Sequence, residues 1–149
     1  MTPFPVTQRW ACSADEAFDR LTSSALIQQH TGVETRIEPH AGGRFEWYFL
    51  DEAPAGERGS EGCTILAAEP GQRLAFTWNA PPHLPHARAR FTRVEVTFAE
   101  VESETLVTLT HSGWPTAEED NHEEWPRTRD YFVAAWPRFL ALCGPKAAP

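Results

Sequence analysis

The stretch THSGWP, residues 110–115, sets a histidine, a serine and a tryptophan together where an alternating run stops. An imidazole in such a place can be a general base, a single ligand contact, or a polar anchor ending a strand. Base catalysis needs the ring turned inward, a partner for its second nitrogen, and a reacting group within reach. In ETLVTLTHS, Val107, Leu109 and His111 fall on one face, with Thr108, Thr110 and Ser112 on the other. No acidic residue shares the His111 face, and Ser112 points away, so a Ser–His pair is geometrically poor. Anchoring or one ligand hydrogen bond is favoured over proton transfer, and no catalytic residue is assigned.

Other polar clusters are weaker. AEEDNHEEW around His122 lacks the second histidine of H-E-x-x-H, and its acids suit a helix start. His83 and His86 in PHLPHARAR read as parts of a proline-rich loop, short of the ligands a metal requires. Gly42-Gly43 opens no phosphate-loop pattern. Cys12, Cys63 and Cys143 are odd in number and sit in apolar settings, as buried free thiols do. Neither a metal nor a cofactor is expected.

The elements that position these residues follow from periodicity. FPVTQRWAC reads as a first strand. In SADEAFDRLT, Ser13 caps a short helix while Glu16 reaches back to the cap amide, and Ala17, Phe18 and Leu21 form its buried stripe. Leu26, Ile27 and His30 mark a second short helix stopped by Gly32. A turn or bulge is expected at Gly42-Gly43 and a turn at Pro70-Gly71. Between and beyond them lie strands whose clean alternation signals an antiparallel sheet with one solvated face. Phe132, Ala135, Trp136, Phe139, Leu140 and Cys143 then follow the helical period. Thr116 and Glu119 suggest a capped start for that helix, Trp125-Pro126 a restart, and Pro137 a kink. A single domain over residues 1–144 with a disordered tail over 145–149 is expected. A sheet this long must curl to cover its apolar face, and the terminal helix closes what remains.

Seven aromatics, Trp47, Phe49, Phe76, Trp78, Phe98, Phe132 and Trp136, are expected to face inward. Plain core explains them, yet six tryptophans, bulky and each with an N–H to satisfy, suit an incompletely filled interior. Trp78 and Trp136 are the best candidates for a cavity wall. Arg129, three residues before Phe132, could reach a ligand carboxylate or phosphate near the mouth. An ion pair with Glu123 or Glu124 is the simpler reading.

The ordered set SADEAFDRLTSSALI, AGGRFEW, ILAAEPGQRLAFTW, LVTLTHSGWP and AAWPRFLALCG spans nearly the whole chain. It resembles the START-like (SRPBCC) superfamily, which includes polyketide cyclase and lipid-transport relatives, in the branch similar to the activator of heat-shock-protein ATPase. His30 stands where many relatives carry an aromatic, and Ala135 where many carry glycine before the tryptophan. The resemblance implies an α+β helix-grip fold: a curled antiparallel sheet wrapped around a long C-terminal helix, with two short helices after the first strand. It also implies a cavity between sheet and helix that accepts hydrophobic molecules.

The expected function is binding of a hydrophobic or aromatic small molecule, carrier- or sensor-like, with Trp47, Phe49, Phe76, Trp78, Phe98, His111, Arg129, Phe132 and Trp136 as ligand contacts. A cyclase- or hydratase-type enzyme using His111 is the alternative, and a co-chaperone-like interaction protein a further one. The eukaryotic activator has a separate N-terminal domain for which 149 residues leave no room, which argues against a chaperone partner. A homodimer is left open. The net charge of -8 argues against nucleic acid or an anionic membrane as partner. No apolar run approaches the ~20 residues of a membrane span, and the N-terminus lacks a signal pattern, so a cytoplasmic protein is expected.

Overall fold

The computed structural model describes residues 1–146. Its elements run β1 (Phe4–Trp10), α1 (Ala14–Thr22), α2 (Ser24–Thr31), β2 (Glu34–Ile37), β3 (Phe45–Tyr48), β4 (Ile65–Glu69) and β5 (Arg73–Trp78). After these come one helical turn, α3 (Pro85–Arg88), then β6 (Thr92–Val101), β7 (Glu104–Ser112) and α4 (Glu124–Cys143). This is the expected α+β order, except that the supposed loop PHLPHARAR contains a helical turn. Pro145 and Lys146 follow α4 without regular structure, and residues 147–149 of the expected tail lie outside the described residues.

Five strands form an antiparallel sheet in the order β1-β7-β6-β5-β4, and β2 pairs with β3 as a hairpin. The hairpin continues the sheet beyond β4. The Phe45 amide donates to the Cys63 carbonyl (2.9 Å), and the Ile65 amide donates to the Gly43 carbonyl (2.8 Å). The chain thereby curls around α4. In β7 the buried residues Thr105, Val107, Leu109 and His111 alternate strictly with half-buried ones, as the sequence pattern requires.

The helix ends depart from expectation in instructive ways. The Ser13 hydroxyl accepts from the Glu16 amide (3.1 Å), but the Glu16 carboxylate takes the Arg20 guanidinium (3.1 Å) instead of returning to the cap. A full salt bridge outcompetes the second half of the capping box. Thr116 and Glu119 do form a reciprocal box, at 3.0 and 3.2 Å. It closes a single turn, and α4 begins only at Glu124. That helix then runs unbroken through Pro137, whose carbonyl accepts from the Gln8 side chain of β1 (2.8 Å).

Gly43 sits where the hairpin is sewn to β4. A Cβ there would overlap the Glu38 carbonyl oxygen, so the close approach admits only glycine. Gly43→Ala should therefore cost about 2–3 kcal/mol of stability through overpacking. The check is a urea melt, expected to show a lower midpoint at unchanged slope. An unaltered midpoint would mean that the junction does not hold the hairpin.

Candidate functional site

His111 is fully buried, with Phe4 of β1 and Val94 of β6 as its strand partners. Both ring nitrogens are engaged. The Trp136 indole N–H donates to Nδ1 (2.9 Å), and Nε2 lies 2.7 Å from the Thr92 hydroxyl oxygen. An indole can only donate, so Nδ1 carries no proton and the neutral ring must carry it on Nε2. Thr92 accepts that proton and passes its own toward the Trp78 carbonyl (3.4 Å). The rings of Trp114, Phe132 and Phe4 surround the imidazole at 4.3, 5.0 and 5.7 Å. Burial, with a smaller push from Arg129, drives its pKa down to about 3. With its one lone pair already holding Trp136, this ring has none left to accept a proton from a substrate.

The interior between sheet and α4 is packed with aromatics. Phe76 stacks under Phe45 at 4.1 Å, and Phe98 packs edge-on against Phe18 of α1 at 5.9 Å. Trp47 is buried between Phe49 (5.9 Å) and Phe139 (4.8 Å), and its indole N–H meets no acceptor among the described residues. Open space lies instead at the edge of this core, as a cleft beside α4 with two adjoining lobes of about 170 and 250 Å³. Each has room for an aromatic ring, since an apolar cavity of roughly 150 Å³ holds benzene.

Phe49, Trp78 and Phe132 line both lobes, and Trp136 lines the second. The remaining sequence candidates do not line them. Phe49 itself was expected inside, yet β3 ends at Tyr48 and the chain turns there, leaving Phe49 43% exposed at the rim. Arg129 is also displaced. Its guanidinium donates to the Thr2 carbonyl (2.9 Å) and hydroxyl (3.3 Å) and covers the Phe4 ring at 5.1 Å. It faces β1 rather than the cleft, and it pairs with neither Glu123 nor Glu124.

The structure adds residues to the wall that sequence reasoning passed over. Tyr131, Ala135, Phe139 and Leu142 run along the cleft side of α4, and Arg138 stands among them. Ala135 and Phe139 are visible in the sequence as members of the apolar stripe; Tyr131, Arg138 and Leu142 fall outside it and give no signal. The opposite wall is the segment after β5 and the long β3–β4 loop. Arg88 of α3 fastens these two, donating to the carbonyls of Ala80 (2.6 Å), Gly56 (2.7 Å) and Gly59 (2.7 Å). Glu61 gathers the Arg58 and Gly59 amides at 2.6 and 3.0 Å and faces Arg88 at 3.5 Å.

A second polar cluster supports α3 from behind. His86 bonds the Asp120 carboxylate (2.7 Å) and stacks on His122 at 3.9 Å, while Glu124 accepts the His86 and Ala87 amides at 2.9 and 3.2 Å. The Trp125 indole N–H, then the His122 amide and His86, hold the Asp120 carboxyl down to about 2. Among the described residues, no three histidine, cysteine or carboxylate side chains are grouped to hold a metal ion. Burial pushes the thiols of Cys63 and Cys143 up to about 12.

The arrangement of His111 sets a pH dependence. Its folded pKa of about 3 lies below the ordinary 6.5, so the unfolded chain takes the proton first. The stabilisation is complete above pH 6.5 and is lost as pH falls toward 3, at about 1.4 kcal/mol per pH unit inside that window. Stability curves of the native protein and His111→Gln should differ by that slope. Nitrogen-15 spectra of the imidazole should show a bare Nδ1 and a protonated Nε2 down to about pH 4. A His111 titrating near its ordinary value in the folded protein would contradict the geometry.

No helix of the described chain is long and apolar enough to cross a membrane. No curated protein sequence matches the chain. The fold is similar to that of MLL2253 from Mesorhizobium loti, with a TM-score of 0.72 and 21% identity over 95% of this chain and 93% of that one. It is similar to PFC0360w, an HSP90 activator from Plasmodium falciparum, at 0.64 and 15% over 99% of this chain and 100% of that one. The Aha1 dimer from Colwellia psychrerythraea gives 0.58 and 12% over 97% of each chain. Such identities establish a shared fold. The model of the family described as "Activator of Hsp90 ATPase homolog 1-like protein" matches residues 11–136, from just past β1 to the tryptophan that bonds His111, and the chain belongs to that family.

Proposed function

We propose that the protein binds a hydrophobic or aromatic small molecule in the two-lobed cleft beside α4, as a carrier or sensor. The observation that carries this reading is the cleft wall itself. Trp78, Phe132 and Trp136 form its floor, and Phe49, Tyr131 and Phe139 rise around it. Concave apolar walls with a few polar groups at the edge are where small molecules bind. The contacts within this proposal are Phe49, Trp78, Phe132 and Trp136 from the original candidates. Phe76 and His111 pack against that floor, Trp47 packs against Phe49 and Phe139 at its sides, and Phe98 and Arg129 pack elsewhere. A cyclase or hydratase using His111 as base is disfavoured by the occupied Nδ1. A reducing compartment such as the cytoplasm is part of this proposal, because it would keep the three free cysteines reduced.

The test uses the neutral dye N-phenyl-1-naphthylamine, whose emission rises on leaving water. Saturable binding near one dye per chain is expected. Ala135→Leu, which fills the second lobe from its half-buried wall, should weaken that binding by roughly tenfold or more while the thermal melt stays cooperative. Failure of the dye to bind, or binding indifferent to Ala135→Leu, would overturn the proposal.

A further inference from the structure

The charges in the cleft point to the class of ligand, an inference that rests on the binding reading above. Arg58 and Arg88 line the first lobe and Arg138 the second, and no aspartate or glutamate lines either. The chain as a whole carries 21 acidic and only 13 basic side chains, so the cleft reverses the sign of its surroundings. Two of these arginines are already occupied. Arg88 is spent on three carbonyls and Glu61. Arg58 donates through Nε to the Ala53 carbonyl (2.9 Å) and also borders a polar hollow with Glu34, Asp51 and Glu61. Arg138 differs: it makes no hydrogen bond or ion pair among the described residues. It is also the one charged side chain in a wall otherwise built of Phe49, Trp78, Tyr131, Phe132, Phe139 and their aliphatic neighbours.

We propose that the second lobe takes an aromatic carboxylate, with the ring among these aromatics and the carboxylate on the Arg138 guanidinium. A planar guanidinium offers two parallel N–H donors to a carboxylate and sheds its hydration more readily than an ammonium. Arg138 is itself exposed, so any shielding of the pair from water comes from the ligand ring seated on the apolar wall beside it. The net charge of -8 sharpens the requirement, because an acidic chain offers an anion no general attraction and leaves that role to a local cation such as Arg138.

The experiment compares naphthalene-2-carboxylate with naphthalene-2-carboxamide, equal in shape and different in charge, by calorimetry on the full chain. The carboxylate should bind about tenfold more tightly than the amide, the worth of one charge-assisted contact, and its advantage should shrink in high salt. Arg138→Gln should abolish or reverse the preference, whereas Arg138→Lys should retain part of it. Arg127→Gln changes net charge equally on the same helix outside the cleft, and should leave the preference intact. Equal affinity for acid and amide in the native protein would overturn this inference while leaving the cleft reading in place. A preference that survives Arg138→Gln would overturn the assignment to Arg138. If neither naphthalene compound nor the phenylnaphthylamine bound, the cleft reading would fall with it.

Discussion

The hydrogen bond from Trp136 to His111 is the constraint on which the rest of the structure turns. It ties the middle of α4 to the end of β7, and through Thr92 it reaches β6 and the last residue of β5. A neutral imidazole is one of few side chains able to accept at one nitrogen and donate at the other, which this chain of contacts demands. Its burial among aromatic rings keeps it neutral, and its neutrality keeps Nδ1 available to Trp136. Either partner lost would leave a buried polar group unsatisfied, at a cost of about 1–3 kcal/mol.

Fixing Trp136 fixes the rotation of α4. With 3.6 residues per turn, pointing Phe132, Trp136 and Leu140 at the sheet sets Tyr131, Ala135, Arg138, Phe139 and Leu142 along one flank. That flank becomes the inner wall of the cleft. The outer wall is irregular chain, and irregular chain holds a shape only where its polar groups are satisfied. Arg88 and Glu61 supply that here, collecting carbonyls and amides from a glycine-rich loop with little core of its own. The cleft thus has a rigid helical side and a side fastened by a few charged contacts.

The sequence revealed those parts that obey a period. The alternation through β7 placed His111 inward, and the stripe from Phe132 to Cys143 identified α4 and its buried face. It could not reveal where a period stops. Phe49 continues the parity of Phe45 and Trp47, yet the strand ends one residue earlier and leaves Phe49 at the rim. Thr116 and Glu119 have the spacing of a helix start, but their box closes only one turn. Arg129 and Arg138 look alike on the helix. Which one faces the cleft depends on Thr2 and Phe4, which lie more than a hundred residues away and claim Arg129. The packed interior was equally hidden, because counting inward aromatics does not say whether they fill their space.

The central claim is that His111 holds the fold while binding takes place outside the core it anchors. The most direct test follows the six tryptophan indole N–H signals by NMR as a neutral aromatic probe is added. Trp78 lines both lobes and Trp136 the second, so both signals should shift, while the Trp136 N–H should keep its hydrogen bond to His111 and its slow exchange. Trp10, Trp114 and Trp125 line neither lobe and should stay still. Loss of the Trp136 bond, or shifts concentrated on Trp114 beside His111, would place the ligand inside the core and contradict the account.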